Sequence, residues 1–284
     1  MKISVIVPFL NEERYLGQCL AALEAQTFPR PDYEVICVDN GSSDCSVEIA
    51  KHHPQCLLLH ERTRGAYAAR NAALAVAQGE ILAFTDGDCA PAQDWLEQIW
   101  KGMERTKALV VLGKRQLPSR SSWICRVVED YENTKSQYLL REGPARCIFA
   151  YTNNMAIRRD VMRTIGMFAP WRLSEDVEYI QRCLARFSRD RVVYLDDMVV
   201  VHLELNRLRV WLTKQWVYGK GLSRLERETT YRILGNSQRL LVYRKCRDLY
   251  QYGLWQKATL CYALLIGVLS FRMGQLTDMF EMSR

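Results

Sequence analysis

Residues 81–90 read ILAFTDGDCA, an apolar run that stops at two aspartates, Asp86 and Asp88, with one glycine between them. Acidic residues and glycine are ordinary turn formers, so one such loop by itself reads as solvated surface as readily as a site. Two other apolar runs end in polar and turn residues: the run 3–8 closes on Pro8 with Asn11 and Glu12 after it, and DNGSSD places Asp39, Asn40, Gly41 and Asp44 at the end of the next. Carboxylates and turn residues gathered at several such ends are what a nucleotide site with a divalent cation needs, because a hard cation takes oxygen ligands. The stretch RTRGAYAARNAAL adds Arg62, Arg64 and Arg70 around a helix start, where guanidinium groups and the helix N-terminus suit a diphosphate. Arg62 reads equally as solvated basic surface, whereas Arg70 falls inside an Ala-rich helix that packs. Neither a G-x-G-x-x-G after the first apolar run nor a G-x-x-x-x-G-K-S/T loop is present, which counts against a dehydrogenase or an ATPase.

The elements that must position these residues alternate through the first 115 positions. ISVIVP (3–8), YEVICVD (33–39), CLLLH (56–60), EILAFTD (80–86) and ALVVLG (108–113) are short and apolar on both faces. Helical patterns fall near 12–26, 44–52, 66–78 and 92–105. Continuous apolar strands separated by helices predict an α/β fold with a mostly parallel, Rossmann-like sheet covered on both sides, whose ligands lie beyond the carboxyl ends of the strands. With 49% hydrophobic and 25% charged residues in 284, the chain builds one large domain or two small ones. The formal charge of +7 calls for an anionic partner without choosing among nucleic acid, membrane and phosphorylated substrate. Ten cysteines without a C-x-x-C pair fit buried thiols in a reducing cytoplasm.

VIVPFLNEE, EVICVDNGSSD, RGAYAARNAAL, FTDGDC, TNNMAIRR and SEDVEY, in this order over about the first 205 residues, together resemble a family 2 glycosyltransferase of the GT-A fold. The resemblance implies an inverting, metal-dependent hexosyl transfer from a nucleotide sugar, most commonly a UDP-sugar, to an acceptor. By that likeness Asp39 hydrogen-bonds the base, Pro8, Asn11 and Glu12 border the nucleoside, and Arg70 contacts the diphosphate. Asp86 and Asp88 match the D-x-D element that holds Mg²⁺ or Mn²⁺. His202, in VVVHLE, reads either as a metal or phosphate contact or as a structural histidine at a strand end. Glu175 and Asp176 open an amphipathic helix and suit its dipole; the resemblance makes Asp176 the catalytic base. Residue types alone leave a retaining outcome open. Asn154, beside Asn153, matches positions lining the sugar or acceptor, although Asn pairs also form turns.

Beyond residue 205 the character changes. Trp211, Trp216 and Tyr218 lie among Arg207, Arg209, Lys214, Lys220 and Arg224, and RLLVYRKCRD adds four more cations. The run 258–271 is uncharged for 14 residues, short of a bilayer span, and predicts peripheral membrane attachment over a core helix or half of a hairpin. The expected organisation is a catalytic domain over 1–205, with a nucleotide-sugar half (1–115) and an acceptor half (116–205), followed by a helical, membrane-associating extension over 206–284. The acceptor expected is lipid-linked or another membrane-associated glycan at the cytoplasmic face of the plasma membrane, in envelope polysaccharide or glycolipid synthesis. Nucleic acid is disfavoured by the acidic edge. The alternatives are a sugar-phosphate nucleotidyltransferase, against which FLNEE stands where a glycine-rich basic loop belongs, and a catalytically silent nucleotide-sugar-binding protein.

Overall fold

The computed structural model describes residues 1–170 and 173–282. In chain order the elements are β1 (Ile3–Phe9), α1 (Leu16–Glu24), β2 (Tyr33–Asp39), α2 (Ser46–Lys51), β3 (Cys56–His60), α3 (Ala66–Val76), β4 (Ile81–Phe84), β5 (Cys89–Pro91), α4 (Trp95–Thr106) and β6 (Val110–Gln116). There follow α5 (Trp123–Arg141), β7 (Met155–Arg158), α6 (Arg159–Ile165), α7 (Glu175–Arg186), β8 (Val192–His202), α8 (Leu208–Glu228), α9 (Asn236–Leu249) and α10 (Leu254–Met282). They form two compact units, Met1–Gln116 with Ala150–Leu203, and Leu117–Phe149 with Glu204–Arg284.

The first unit is built on an eight-stranded sheet in the order β3-β2-β1-β4-β7-β6-β8-β5. The first four strands are mutually parallel, as the alternating pattern predicts; β7 then enters antiparallel between β4 and β6, and β5 closes the sheet antiparallel to β8. The sheet is therefore mixed. On one face Ile3, Val5, Val7 and Phe9 meet Leu16, Leu20 and Leu23 of α1 and Trp95, Ile99 and Met103 of α4, the alternation that a strand buried on both sides provides. β3 departs from the expected two-sided burial because it is the edge strand: Leu57 is 48% exposed. In β6 the pairing with β8 shifts register between Gly113 and Lys114. A Cβ on Gly113 would stand 2.2 Å from the Met198 carbonyl oxygen and 2.4 Å from Asn154 Nδ2, so only glycine lets these strands close.

The second unit joins α5 to α8, α9 and α10, so the grouping in space crosses the expected boundary at 205. Residues 117–149 belong with the C-terminal helices because Val127, Val128 and Tyr131 of α5 are buried in clusters with Val242, Cys246, Leu260, Trp211 and Ala263. Tyr252 Oη donates to Asp130 at 2.6 Å within the same unit. α10 runs alongside α8: Ser270 Oγ donates to the Leu212 carbonyl at 2.8 Å and Trp216 Nε1 to Thr277 Oγ1 at 3.3 Å. The approach is close enough that a Cβ on Gly274 would lie 2.0 Å from the Trp216 carbonyl oxygen. The apolar run 258–271 is thus a core helix on one face, which the expectation of peripheral attachment had set aside as an alternative.

Because the Gly113 contact is with backbone, Gly113→Ala is expected to lower the unfolding free energy by about 1–3 kcal/mol, the usual cost of overpacking, as measured by chemical denaturation.

Candidate active site

Strands β1, β2, β3, β4, β6 and β8 point one way and β5 and β7 the other, so the carboxyl ends of the first set and the amino ends of the second share one edge of the sheet. That edge carries Pro8, Asn11, Glu12, Asp39, Asp86, Asp88, Asn154 and His202.

The loops after β1 and β2 are laced together. Asn11 takes a left-handed backbone (φ 56°), its amide donates to Ser42 Oγ at 3.0 Å, and its Oδ1 accepts from the Ser43 amide at 2.8 Å. The Glu12 amide donates to Ser46 Oγ at 2.7 Å and the Glu13 amide to Asp44 at 3.0 Å. Asp39 accepts from the Ser42 amide at 2.9 Å and faces His60 Nδ1 at 3.3 Å. Burial alone raises its pKa, but these hydrogen bonds, from Ser42 above all, outweigh it and hold the carboxyl below the ordinary range. Asn40 staples the segment leading into α3: Nδ2 donates to the carbonyls of Glu61 and Thr63, and Oδ1 accepts from the Gly65 amide. Arg62 and Arg64 in that segment are exposed.

Arg70 is buried on the Ala-rich face of α3, where small neighbours let the helix lie close to β1 and β2. Its two terminal nitrogens donate to Glu175 Oε1 at 2.7 Å and Asp86 Oδ1 at 2.9 Å, while Nε has no hydrogen-bond partner. Contact between Arg70 and a diphosphate would break one of these two ion pairs. Burial opposes its charge, and Asp86, Glu175 and Asp176 more than restore it, raising its pKa. Phe168 is pinned by Asn71, whose amide exchanges hydrogen bonds with its backbone at 2.9 and 3.0 Å, and by a tilted ring contact with Tyr179 at 4.5 Å between centroids. Ser174 then enters α7 with φ 66°, an uncommon conformation for a residue with a side chain, immediately before the two acids.

Asp176 accepts from the Val177 amide at 2.8 Å. Part of its surface reaches solvent, yet the surrounding protein dominates: burial first, then the Glu175 carboxylate, push its pKa up, to about 7, against the opposing pull of Arg70. One guanidinium facing three carboxylates leaves an excess of negative charge that a proton on Asp176 relieves.

Asp88, Cys89 and His202 form a buried group whose potential ligand atoms lie within 4.8 Å of one another. The pairing of Cys89 with His202 across β5 and β8, and the Leu203 amide donating to the Asp88 carbonyl at 2.9 Å, bring them together. His202 Nδ1 lies 3.5 Å from Asp88 Oδ2. Asp86, expected in the same set, is instead turned to Arg70. Cys89 Sγ donates to Asp88 Oδ1 at 3.3 Å, and burial, then Asp88 and Asp86, raise its thiol well above the usual range. The Asp88 carboxylate fits Mg²⁺ or Mn²⁺, which keep few protein ligands, and the His202 imidazole fits the less hard Mn²⁺ better than Mg²⁺; a thiol does not suit a hard cation.

Asn154 is committed elsewhere. Its Oδ1 accepts from Trp95 Nε1 at 2.8 Å and its Nδ2 donates to the carbonyls of Lys114 and Met198 at 2.9 Å each, bracketing α4, β6 and β8. Next to it, Asn153 Oδ1 is buried without a hydrogen-bond partner among the described residues. Asn71 and Cys89 carry no signal of their own in the sequence, although both lie inside the quoted motifs, and Asn40 and Asn153 read there only as members of turn-forming clusters, because nothing in residue type distinguishes a staple from a turn former.

A mixed sheet with acidic loops gathered along one edge is a fold that solved sugar transferases share, and comparison with known proteins identifies the family. Residues 4–166, more than half of the chain, match Glycosyl transferase family 2. The chain is 32% identical over 226 residues to glycosyltransferase AglE of Haloferax volcanii, covering 77% of this chain and 72% of that protein. It is 35% identical over 120 residues to the poly(ribitol-phosphate) beta-glucosyltransferase of Bacillus spizizenii, covering 40% of this chain but only 19% of the relative. The fold is shared with S. aureus TarS 1-349 in complex with UDP-GlcNAc (TM-score 0.60, 18% identity, 98% and 91% of the two chains). It is also shared with the mannosyltransferase PcManGT of Pyrobaculum calidifontis in complex with GDP-Man and Mn²⁺ (TM-score 0.63, 21% identity, 94% and 75%). The chain belongs to glycosyl transferase family 2, with a GT-A-like sheet and a helical C-terminal extension.

Two consequences follow for pH. Asp176 binds a proton more tightly in the folded chain than in the unfolded one, so its contribution to stability falls as pH rises from about 4, the ordinary aspartate value, through about 7. Carboxyl titration by NMR should place Asp176 near 7, and Glu175→Gln, which removes the neighbouring charge, should lower it.

Proposed function

We propose that this glycosyltransferase moves a sugar from a nucleoside diphosphate sugar, with a UDP-sugar the first choice, to a hydroxyl of a lipid-linked or other membrane-associated glycan, with inversion and metal assistance. The observation that carries the reading is a carboxylate suited to a nucleotide base (Asp39) and a carboxylate–imidazole pair (Asp88 and His202) on one sheet edge, with the first turn of α7, which carries Asp176, tied to that edge through Arg70 and Asp86. The complexes of TarS with UDP-GlcNAc and of PcManGT with GDP-Man and Mn²⁺ support a donor of this class.

In this reading Pro8, Asn11 and Glu12 border the nucleoside, and Asp39, its charge fixed by Ser42 and His60, accepts an N–H of the base. Asp88 and His202 would hold Mg²⁺ or Mn²⁺, a cation that would supply charge neutralisation for the diphosphate leaving group when bound. Asp86, held by Arg70, faces the donor, and Arg70 acts chiefly by fixing Asp86 and Glu175. Asp176 takes the proton of the acceptor hydroxyl as that hydroxyl's oxygen bonds to the anomeric carbon and the bond from that carbon to the diphosphate oxygen breaks on the opposite face. A pKa near 7 keeps Asp176 basic enough to accept the proton and partly ionised at neutral pH. Activity therefore rises with pH through that value. The site acts at the cytoplasmic face of the plasma membrane.

Turnover of a panel of nucleotide sugars with Mg²⁺ or Mn²⁺ tests the assignment; absence of turnover or binding with every donor overturns it. Asp176→Asn should leave donor affinity nearly intact while transfer falls by about 10²-fold or more. Asp88→Ala and His202→Ala should each weaken Mn²⁺ binding, followed by calorimetry or electron paramagnetic resonance, with the fold retained; Mn²⁺ affinity equal to the parent's in both variants would remove the metal assignment.

A further inference from the structure

The second unit carries the whole positive excess of the chain. Residues 117–149 and 204–284 hold nineteen Lys and Arg against ten Asp and Glu, a formal +9, whereas the first unit holds twenty against twenty-two, −2. The same unit carries α10, whose one face, with Leu260, Ala263 and Phe271, is buried. Its opposite face is also apolar and points outward: Trp255, Tyr262, Leu265, Leu269, Leu276 and Phe280 follow one another at spacings of three, four and seven and are 54–80% exposed. Among the exposed residues of α10 whose burial is described, Arg272 is the one charge. Over 29 residues the helix is about 43 Å long. Single exposed apolar side chains are ordinary, but a continuous stripe of this length marks an interaction surface.

By length and composition α10 could cross a bilayer. Its packing forbids that arrangement while the unit is folded: α8, joined to it through Ser270, Trp216 and the Arg227–Asp278 ion pair at 2.5 Å, carries Arg209, Lys214, Lys220, Arg224 and Arg227, which would have to enter the hydrocarbon core. A second copy of the chain would set one +9 unit against another. An anionic bilayer satisfies both features at once. We propose that α10 is an in-plane membrane helix, core on its inner face and lipid-seated on its outer face, with the cations of its unit drawn to anionic headgroups. This deepens the reading of a membrane-associated acceptor and rests on it.

The test uses the full chain with vesicles of phosphatidylcholine, alone or mixed with phosphatidylglycerol. The parent chain should float with the phosphatidylglycerol vesicles, and about tenfold less with phosphatidylcholine alone or at high salt. Leu265→Glu/Leu269→Glu/Leu276→Glu should reduce flotation about tenfold or more, with an unchanged circular dichroism spectrum and unchanged hydrolysis of a soluble nucleotide sugar. Arg272→Glu, which leaves the apolar stripe whole, should lower flotation several-fold on anionic vesicles only. A parent chain that floats with neither vesicle, a triple variant that floats like the parent, or a parent dimer that the triple variant splits into monomers overturns the proposal. Flotation without turnover of any nucleotide sugar supports the surface and overturns the catalytic reading instead.

Discussion

The buried guanidinium of Arg70 is the contact on which the site depends. It joins a loop at the end of β4 to the first turn of α7, two segments about ninety residues apart in sequence, through Asp86 and Glu175. Without it, Asp86, Glu175 and Asp176 would face one another as carboxylates in a partly water-free space. Removing the guanidinium would leave the buried Glu175 carboxylate without its ion-pair partner, a loss on the order of 3–5 kcal/mol for a buried pair. Lysine cannot replace it, since a single ammonium lacks the rigid fork that reaches two carboxylates in different directions. The Ala-rich face of α3 is the other half of the arrangement: small side chains let the helix seat close to the sheet, and the long arginine crosses the remaining gap.

The mixed topology of the sheet explains how residues from distant motifs share one edge. Inserting β7 antiparallel between β4 and β6 brings its amino end, with Asn153 and Asn154, to the edge where the parallel strands finish. The antiparallel pairing of β5 with β8 does the same for Asp88 and His202. Asn154 then spends its hydrogen-bonding capacity on holding α4, β6 and β8 at fixed separations, a use for a buried amide that requires Gly113 to have no side chain. Chemistry and scaffold are interleaved here at the level of neighbouring residues.

The second unit solves a different problem, burying enough apolar surface to fold while leaving one apolar face outside. α10 packs close along α8 through glycine and keeps the larger side chains of its outer stripe in the open. α5, drawn from the middle of the sequence, completes the core of this unit. A helix apolar on both sides gives no amphipathic signal, which is why the 258–271 run reads as three different things before its neighbours are known.

Sequence alone determined the α/β alternation, the family and the acidic clusters, because buried strand periodicity and turn chemistry are local properties. It also singled out Asp86, Asp88, Glu175 and Asp176 as candidates for chemistry. Tertiary structure decided their partners: Asp86 goes to Arg70, Asp88 to His202, and Asp176 to a pocket of excess negative charge that raises its pKa. It decided that Asn154 braces the fold and that 117–149 sits with the C-terminal helices. Hydrogen bonds, desolvation and strand order are set by residues far apart in the chain, and no local pattern encodes which of several similar carboxylates will meet the buried guanidinium of Arg70.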